Sequence, residues 1–169
     1  MAGSLPNRID PARMAEAGAR IFGRMRFDEM PSLRADAYGR AGVAVIDLQF
    51  GRDDENRACV TGRISASTEV TCQRCMRPLT LELVAEVSLG IVGDEVEAGR
   101  LPECYEPLLA GDEPVALADL VEQELLLVWP MTPRHEAGMC RPDAQPATEG
   151  KQKGPNPFAV LEALRKGKS

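Results

Sequence analysis

Between Val43 and Ile91 apolar and polar residues alternate one for one through three successive runs. Ala44, Ile46, Leu48 and Phe50 share one side of the first run, with Asp47 and Gln49 on the other. In the second, Val60, Gly62, Ile64, Ala66, Thr68 and Val70 alternate with Thr61, Arg63, Ser65, Ser67 and Glu69. In the third, Leu79, Leu81, Leu83, Ala85, Val87, Leu89 and Ile91 alternate with Thr80, Glu82, Val84, Glu86 and Ser88. A period of two over such lengths predicts antiparallel strands with one buried face, because successive strand side chains point to opposite sides of a sheet. Three consecutive runs predict a meander. A polar turn, Asp53-Asp54-Glu55-Asn56, separates the first two, and a cysteine-containing interruption from Cys72 to Pro78 separates the second from the third.

The apolar face of such a sheet needs a cover. Leu117, Leu120, Val121, Leu125 and Val128 recur at helical spacing, with Asp119, Glu122 and Glu124 largely opposite, and Pro130 closes the run. Ala116 stands where a capping side chain would serve best, which points to Asp112 or Glu113 as substitutes. Near the start, Asp10-Pro11 reads as an N-cap followed by a first-turn proline, opening a short helix limited by Gly18. Ile21, Gly23, Met25 and Phe27 then alternate as a weaker strand, broken at Met30-Pro31-Ser32. Residues 131–155 are rich in Pro, Gly and charge and read as a linker or flexible loop. Asn156-Pro157 is a second cap-plus-proline start, with Phe158, Leu161 and Leu164 on one helical side. The expected fold class is α+β: an antiparallel meander covered by helices over residues 1–130, then the linker, then a short helical, basic tail over 156–169.

Composition narrows the class of function. The chain has 169 residues, 44% hydrophobic and 27% charged, which is globular. Its first residues carry no basic-then-apolar segment, and its longest apolar stretch, Leu125 to Trp129, is far too short to span a bilayer. With five cysteines, an odd number, this points to a reducing compartment and a cytoplasmic protein without a membrane partner. Side-chain charge is +2 over residues 1–40, −12 over 41–149 and +4 over 150–169. So acidic a body repels a phosphate backbone, and any RNA contact is expected to be local, through the tail or the N-terminal arginines. Seven aromatic residues (one Trp, two Tyr, four Phe) are too few for the stacking platforms of single-strand RNA modules.

Candidate chemistry centres on Cys72-Gln73-Arg74-Cys75, the chain's single C-x-x-C. A two-residue spacer lets both thiolates face one point, as a zinc knuckle requires, and zinc would then need two more ligands. His135, the only histidine, and Cys140 lie downstream as H-x4-C, so a Cys3His site is chemically available, although the roughly sixty-residue gap is not diagnostic. Two other readings stay open. One is thiol redox, with Arg74 and Arg77 favouring a thiolate; against it, a strand pattern follows where a thioredoxin-type pair caps a helix. The other is a plain turn between strands with half-buried thiols. Cys59 and Cys104 have no partner spacing. Glu103 and Glu106 flank Tyr105 and could serve as acid and base, but an exposed acidic loop explains them equally. With no nucleophile elbow, G-x-G-x-x-G or phosphate-binding loop, catalysis and a small-molecule substrate have little support.

Several segments, in order, resemble the YceD family of bacterial large ribosomal RNA subunit accumulation proteins. They are Cys72-Gln73-Arg74-Cys75 with Pro78, the Leu101-Pro102-Glu103 and Tyr105-Glu106-Pro107 segments, the Leu117–Val128 run closed by Pro130, His135 with Cys140, and Asn156-Pro157-Phe158-Ala159-Val160-Leu161. The resemblance implies a non-enzymatic role in synthesis, processing or stability of 23S rRNA. The implied partners are a ribosomal assembly particle, an rRNA-processing protein or a local stretch of rRNA. The resemblance supplies no binding residues; from sequence character and exposed position the expected contact residues are Arg74 and Arg77 on the cysteine turn and Asn156, Pro157, Phe158 and Leu161 in the tail, and the C-x-x-C with His135 and Cys140 leaves zinc as the candidate cofactor and a zinc-stabilised protein–protein adaptor as the alternative function.

Overall fold

The computed structural model describes residues 5–30, 32–33, 42–110 and 113–140. Among them, the alternating runs become strands. β1 (Arg8–Ile9) leads into α1 (Pro11–Glu16), then β2 (Arg20–Arg26) and a single 3-10 turn (Phe27–Glu29). β3 (Val43–Arg52), β4 (Ala58–Thr71) and β5 (Pro78–Val92) follow. After α2 (Glu95–Ala98) come β6 (Glu106–Leu109), β7 (Val115–Ala116) and α3 (Leu117–Leu127). The main sheet runs β2-β3-β4-β5-β6; its first four strands are antiparallel neighbours in chain order, and β6 adds to β5 in parallel. The protein is therefore α+β, with the meander at its centre.

Register aligns the apolar residues into rows across the sheet. Met25, Ala44, Ala66 and Leu83 face one another in turn, as do Gly23, Ile46, Ile64 and Ala85. This face is the core: Ile46, Leu48, Phe50, Val60 and Ile64 are fully buried together with Leu117, Val121 and Leu125 of α3. α1 contributes Pro11 and Ala15 to the same side. Asp10 caps α1 by accepting the Arg13 N–H at 3.0 Å, with Pro11 in its first turn. The opposite face is polar, crossed by the Arg20–Asp47 and Arg63–Glu86 ion pairs.

The start of α3 differs from expectation. No side chain caps it: Glu113 does not do so, and Asp112 lies outside the described residues. Instead β7 pairs with β1, and the Asn7 carbonyl accepts the Leu117 N–H at 3.1 Å. A strand pairing far apart in sequence thus satisfies a group that local capping leaves open. α3 is further tied down by Glu122, whose Oε1 accepts the N–H groups of Ser32 (2.7 Å) and Leu33 (3.1 Å). β6 is the other departure. The Tyr105-Glu106-Pro107 stretch reads as an acidic loop, yet Glu106–Leu109 adds to the sheet at its edge, where a proline costs no interior hydrogen bond.

The neighbouring strand leaves no room for a side chain at Gly62. Its φ is +151°, and a Cβ there would lie 2.1 Å from the Asp47 carbonyl oxygen. Replacing Gly62 by Ala is expected to cost about 2 kcal/mol or more through backbone strain and the clash. Gly51→Ala, where a Cβ meets nothing within 4 Å, is the matched control. Thermal unfolding of the two variants side by side should show a drop of several degrees for Gly62→Ala alone.

Candidate metal centre

The interruption between Thr71 and Pro78 is the tip of the β4–β5 hairpin. The Cys72 N–H donates to the Arg77 carbonyl and the Met76 N–H to the Cys72 carbonyl, both at 2.9 Å, which folds the tip into a compact loop. Met76 closes it with φ +58°, a left-handed conformation that a non-glycine residue adopts at some cost. Cys72 and Cys75 therefore sit on a strand-to-strand turn, and among the described residues no helix N-terminus stands behind either sulfur, unlike the arrangement that activates a redox C-x-x-C.

The chain beyond α3 returns to this tip. Pro130 stops the helix, and the Pro133 carbonyl then accepts the Gln73 N–H at 2.8 Å. A turn at Glu136–Met139, with Gly138 at φ +88°, reverses the chain once more. Residues 131–140, part of the stretch that reads as linker, thus bring His135 and Cys140 to the hairpin. Four ligand atoms converge: the sulfurs of Cys72, Cys75 and Cys140 and a ring nitrogen of His135 all lie within 4.8 Å of one another. Cys72 Sγ is 3.4 Å from Cys140 Sγ, and His135 Nδ1 is 3.4 Å from Cys75 Sγ and 3.6 Å from Cys140 Sγ.

These separations suit zinc. Tetrahedral zinc with bonds of about 2.3 Å to sulfur and about 2.0–2.1 Å to nitrogen has sulfur–sulfur edges of about 3.8 Å and sulfur–nitrogen edges of about 3.5 Å. The histidine is set for the task as well: its Nε2 lies 3.1 Å from the Pro78 carbonyl, an acceptor only, so Nε2 carries the proton and Nδ1 presents its lone pair to the sulfurs. Three thiols and a neutral imidazole form a donor set that selects zinc over hard, oxygen-seeking cations.

Electrostatics favour a thiolate here even without metal. Burial pushes the Cys72 thiol up, but the backbone N–H groups of Cys75, His135 and Arg74 and a contact from Cys140 outweigh it and bring it down to about 5. Cys140 moves the other way, up to about 11, through burial and its bonds and repulsion with Cys72 and Cys75. Cys72 is thus the first of the pair to ionise. Arg74 is exposed on the tip, and its backbone, not its guanidinium, is what faces the Cys72 sulfur. Arg77, also exposed, ends the loop. Asn156, Pro157, Phe158 and Leu161 lie outside the described residues. Cys59 is buried and Cys104 exposed, both apart from the cluster. The supporting carbonyls of Pro78 and Pro133 escaped the sequence reading, since a backbone acceptor leaves no mark in residue type.

The family described as large ribosomal RNA subunit accumulation protein YceD matches residues 60–165, most of the chain and all four converging residues. The chain belongs to the YceD family. Its similarity extends across almost the full length of a YceD relative, the large ribosomal RNA subunit accumulation protein of Haemophilus influenzae: 29% identity over 167 residues, 95% of this chain and 96% of that one. No solved structure matches. Among the described residues of this YceD member, no helix is long and apolar enough to cross a membrane.

The thiol pair gives a pH signature in the metal-free chain. An unfolded cysteine ionises near 9.0, so the lowered Cys72 contributes stability that is present above 9 and lost as pH falls through about 5. The raised Cys140 contributes in the opposite sense, its share being lost as pH rises from 9 through about 11. Melting temperature minus that of Cys72→Ser, measured after metal removal, should rise from pH 5 towards 9. A difference that stays flat or falls over that range contradicts the assignment.

Proposed function

We propose that this chain is a non-enzymatic factor that supports accumulation of 23S rRNA during large-subunit assembly in the cytoplasm, and that zinc fixes the surface through which it acts. The observation that carries the reading is the convergence of Cys72, Cys75, His135 and Cys140 on one point, within the residues that match a family named for large-subunit RNA accumulation. Cys72, Cys75, His135 and Cys140 would hold the ion, and with four protein ligands it would serve a structural part, tying the chain together, and not bind substrate or activate water. Closing that site locks residues 129–140 onto the hairpin tip and sets Arg74 and Arg77 outward on a rigid loop. Those arginines, with Asn156, Pro157, Phe158 and Leu161 of the tail, form the contact surface for the assembling particle or an rRNA-processing protein. The acidic body argues for a protein surface or a locally shielded RNA segment as the target, because a charge of −12 over residues 41–149 opposes binding along naked RNA.

Purified chain should contain about one zinc per molecule by elemental analysis, and a strong chelator should release it and lower the melting temperature. In cells depleted of their own YceD protein, the chain should restore the ratio of 23S to 16S rRNA. Cys72→Ala/Cys75→Ala should fail to do so, while Arg74→Glu, which changes an exposed side chain on the tip, should keep its zinc and its melting temperature yet complement poorly. A zinc-free chain that complements fully would remove the metal from the reading, and failure of the parent chain to restore 23S rRNA would remove the role itself.

A further inference from the structure

Among the described residues, α3 ends in an unpartnered face. Leu127 is 67% exposed and Val128 38%, and together with Leu89 they line a groove of about 230 Å3 between the helix end and the loop before β6. The groove is rimmed by Glu103, Glu106 and Glu124, and among the described residues none of these three carboxylates makes an ion pair. The last turn of α3 also has no basic residue, so the carbonyl end of its dipole adds to the negative field. Crowding is already felt there: burial, and then the charge of Glu106, raise the Glu124 carboxyl above its ordinary range. Such a groove, apolar at its base and anionic at its lip, matches an apolar residue or a long cationic side chain whose stem lies on leucine while its head meets carboxylate.

The chain carries a segment of complementary character. Residues 150–169 contain Lys151, Lys153, Arg165, Lys166 and Lys168 against one acid, Glu162, and place Phe158, Leu161 and Leu164 at helical spacing. Its tether is long enough. Cys140 sits beside His135, which contacts Pro78, the first residue of β5. From Pro78 to Leu89 along the strand is about 36 Å. The steps from Cys140 to Phe158 can span up to about 60 Å when extended.

We propose that the basic C-terminal segment, residues 150–169, docks in cis on the groove at the end of α3, its lysines against Glu103, Glu106 and Glu124 and its apolar residues against Leu127 and Val128. Tethering raises the effective concentration of the segment at the groove to about the millimolar range, so a contact weak between separate molecules is populated within one. The docked tail neutralises the anionic rim and withholds the chain's most concentrated positive charge from competing polyanions. This inference does not depend on zinc, and it deepens the rRNA reading in one respect: the docked tail is the resting state, and the tail leaves the groove when Phe158 and Leu161 meet a partner.

The test uses the full-length chain at low micromolar concentration with a zero-length carbodiimide, which joins a lysine amine to a carboxylate only when the two are in contact. Mass spectrometry of the monomer band should find Lys151, Lys153, Lys166 or Lys168 joined to Glu103 or Glu106, and these links should vanish in about 1 M salt, where screening reaches contact distance. In Glu103→Lys/Glu106→Lys, which changes two exposed side chains, tryptic cleavage at Lys166 should quicken several-fold while the melting temperature holds. Links spread evenly over distant carboxylates such as Glu82 and Glu95, or links confined to dimers, overturn the proposal. An unchanged cleavage rate in a variant that melts like the parent does so too. None of these outcomes bears on zinc content or complementation, so the two readings fail separately.

Discussion

The pairing of β4 with β5 carries the rest of the molecule. Its register holds from Cys59 opposite Gly90 to Thr71 opposite Pro78, along nearly the whole of both strands. Because side chains alternate faces, a slip of one residue would turn Ile64, Ala66, Leu83 and Ala85 out to water and the polar set inward. The buried row fixes the register, and the register fixes where the hairpin ends. Cys72 and Cys75 therefore meet the returning chain at one place, and the Pro78 carbonyl, on the first residue of β5, is in position to orient His135.

Stability and display are separated in space. The helices and the inward rows of the sheet bury the large apolar side chains, among them Phe27, Phe50 and Leu125. The cysteine cluster lies beyond that core at the tip, on a loop whose backbone is turned into service: N–H groups of Arg74, Cys75 and His135 aim at one sulfur. A charged sulfur at the rim of a domain is tolerable only with such donors or a metal, and here the chain supplies the first and arranges the ligands for the second. The left-handed Met76 is the local strain that this arrangement carries.

Charge is partitioned as sharply as packing. The polar face of the sheet settles its own charges through pairs such as Arg20 with Asp47, which holds that carboxyl below its ordinary range mainly by hydrogen bonding. The end of α3 does not, and its excess of carboxylate lies on the same chain as a basic tail. A body this acidic is unsuited to general binding along an RNA backbone.

The alternation from Val43 to Ile91, the Asp10-Pro11 cap and the spacing of Leu117, Leu120, Val121 and Leu125 were sufficient to establish strands, helices and the buried side of each. Periodicity is a local property, and burial of one face enforces it residue by residue. The same logic could not reach β6, the β1–β7 pairing that receives the start of α3, or the return of residues 131–140, because each depends on a backbone partner far away in sequence and backbone groups are alike in every residue. The ligand set shows the division most clearly. Residue types and the two-residue spacing named Cys72, Cys75, His135 and Cys140, but a gap of some sixty residues has no geometry of its own. Only the folded hairpin, with the Pro133 carbonyl on Gln73 and the Pro78 carbonyl on His135, brought the four within reach of one ion.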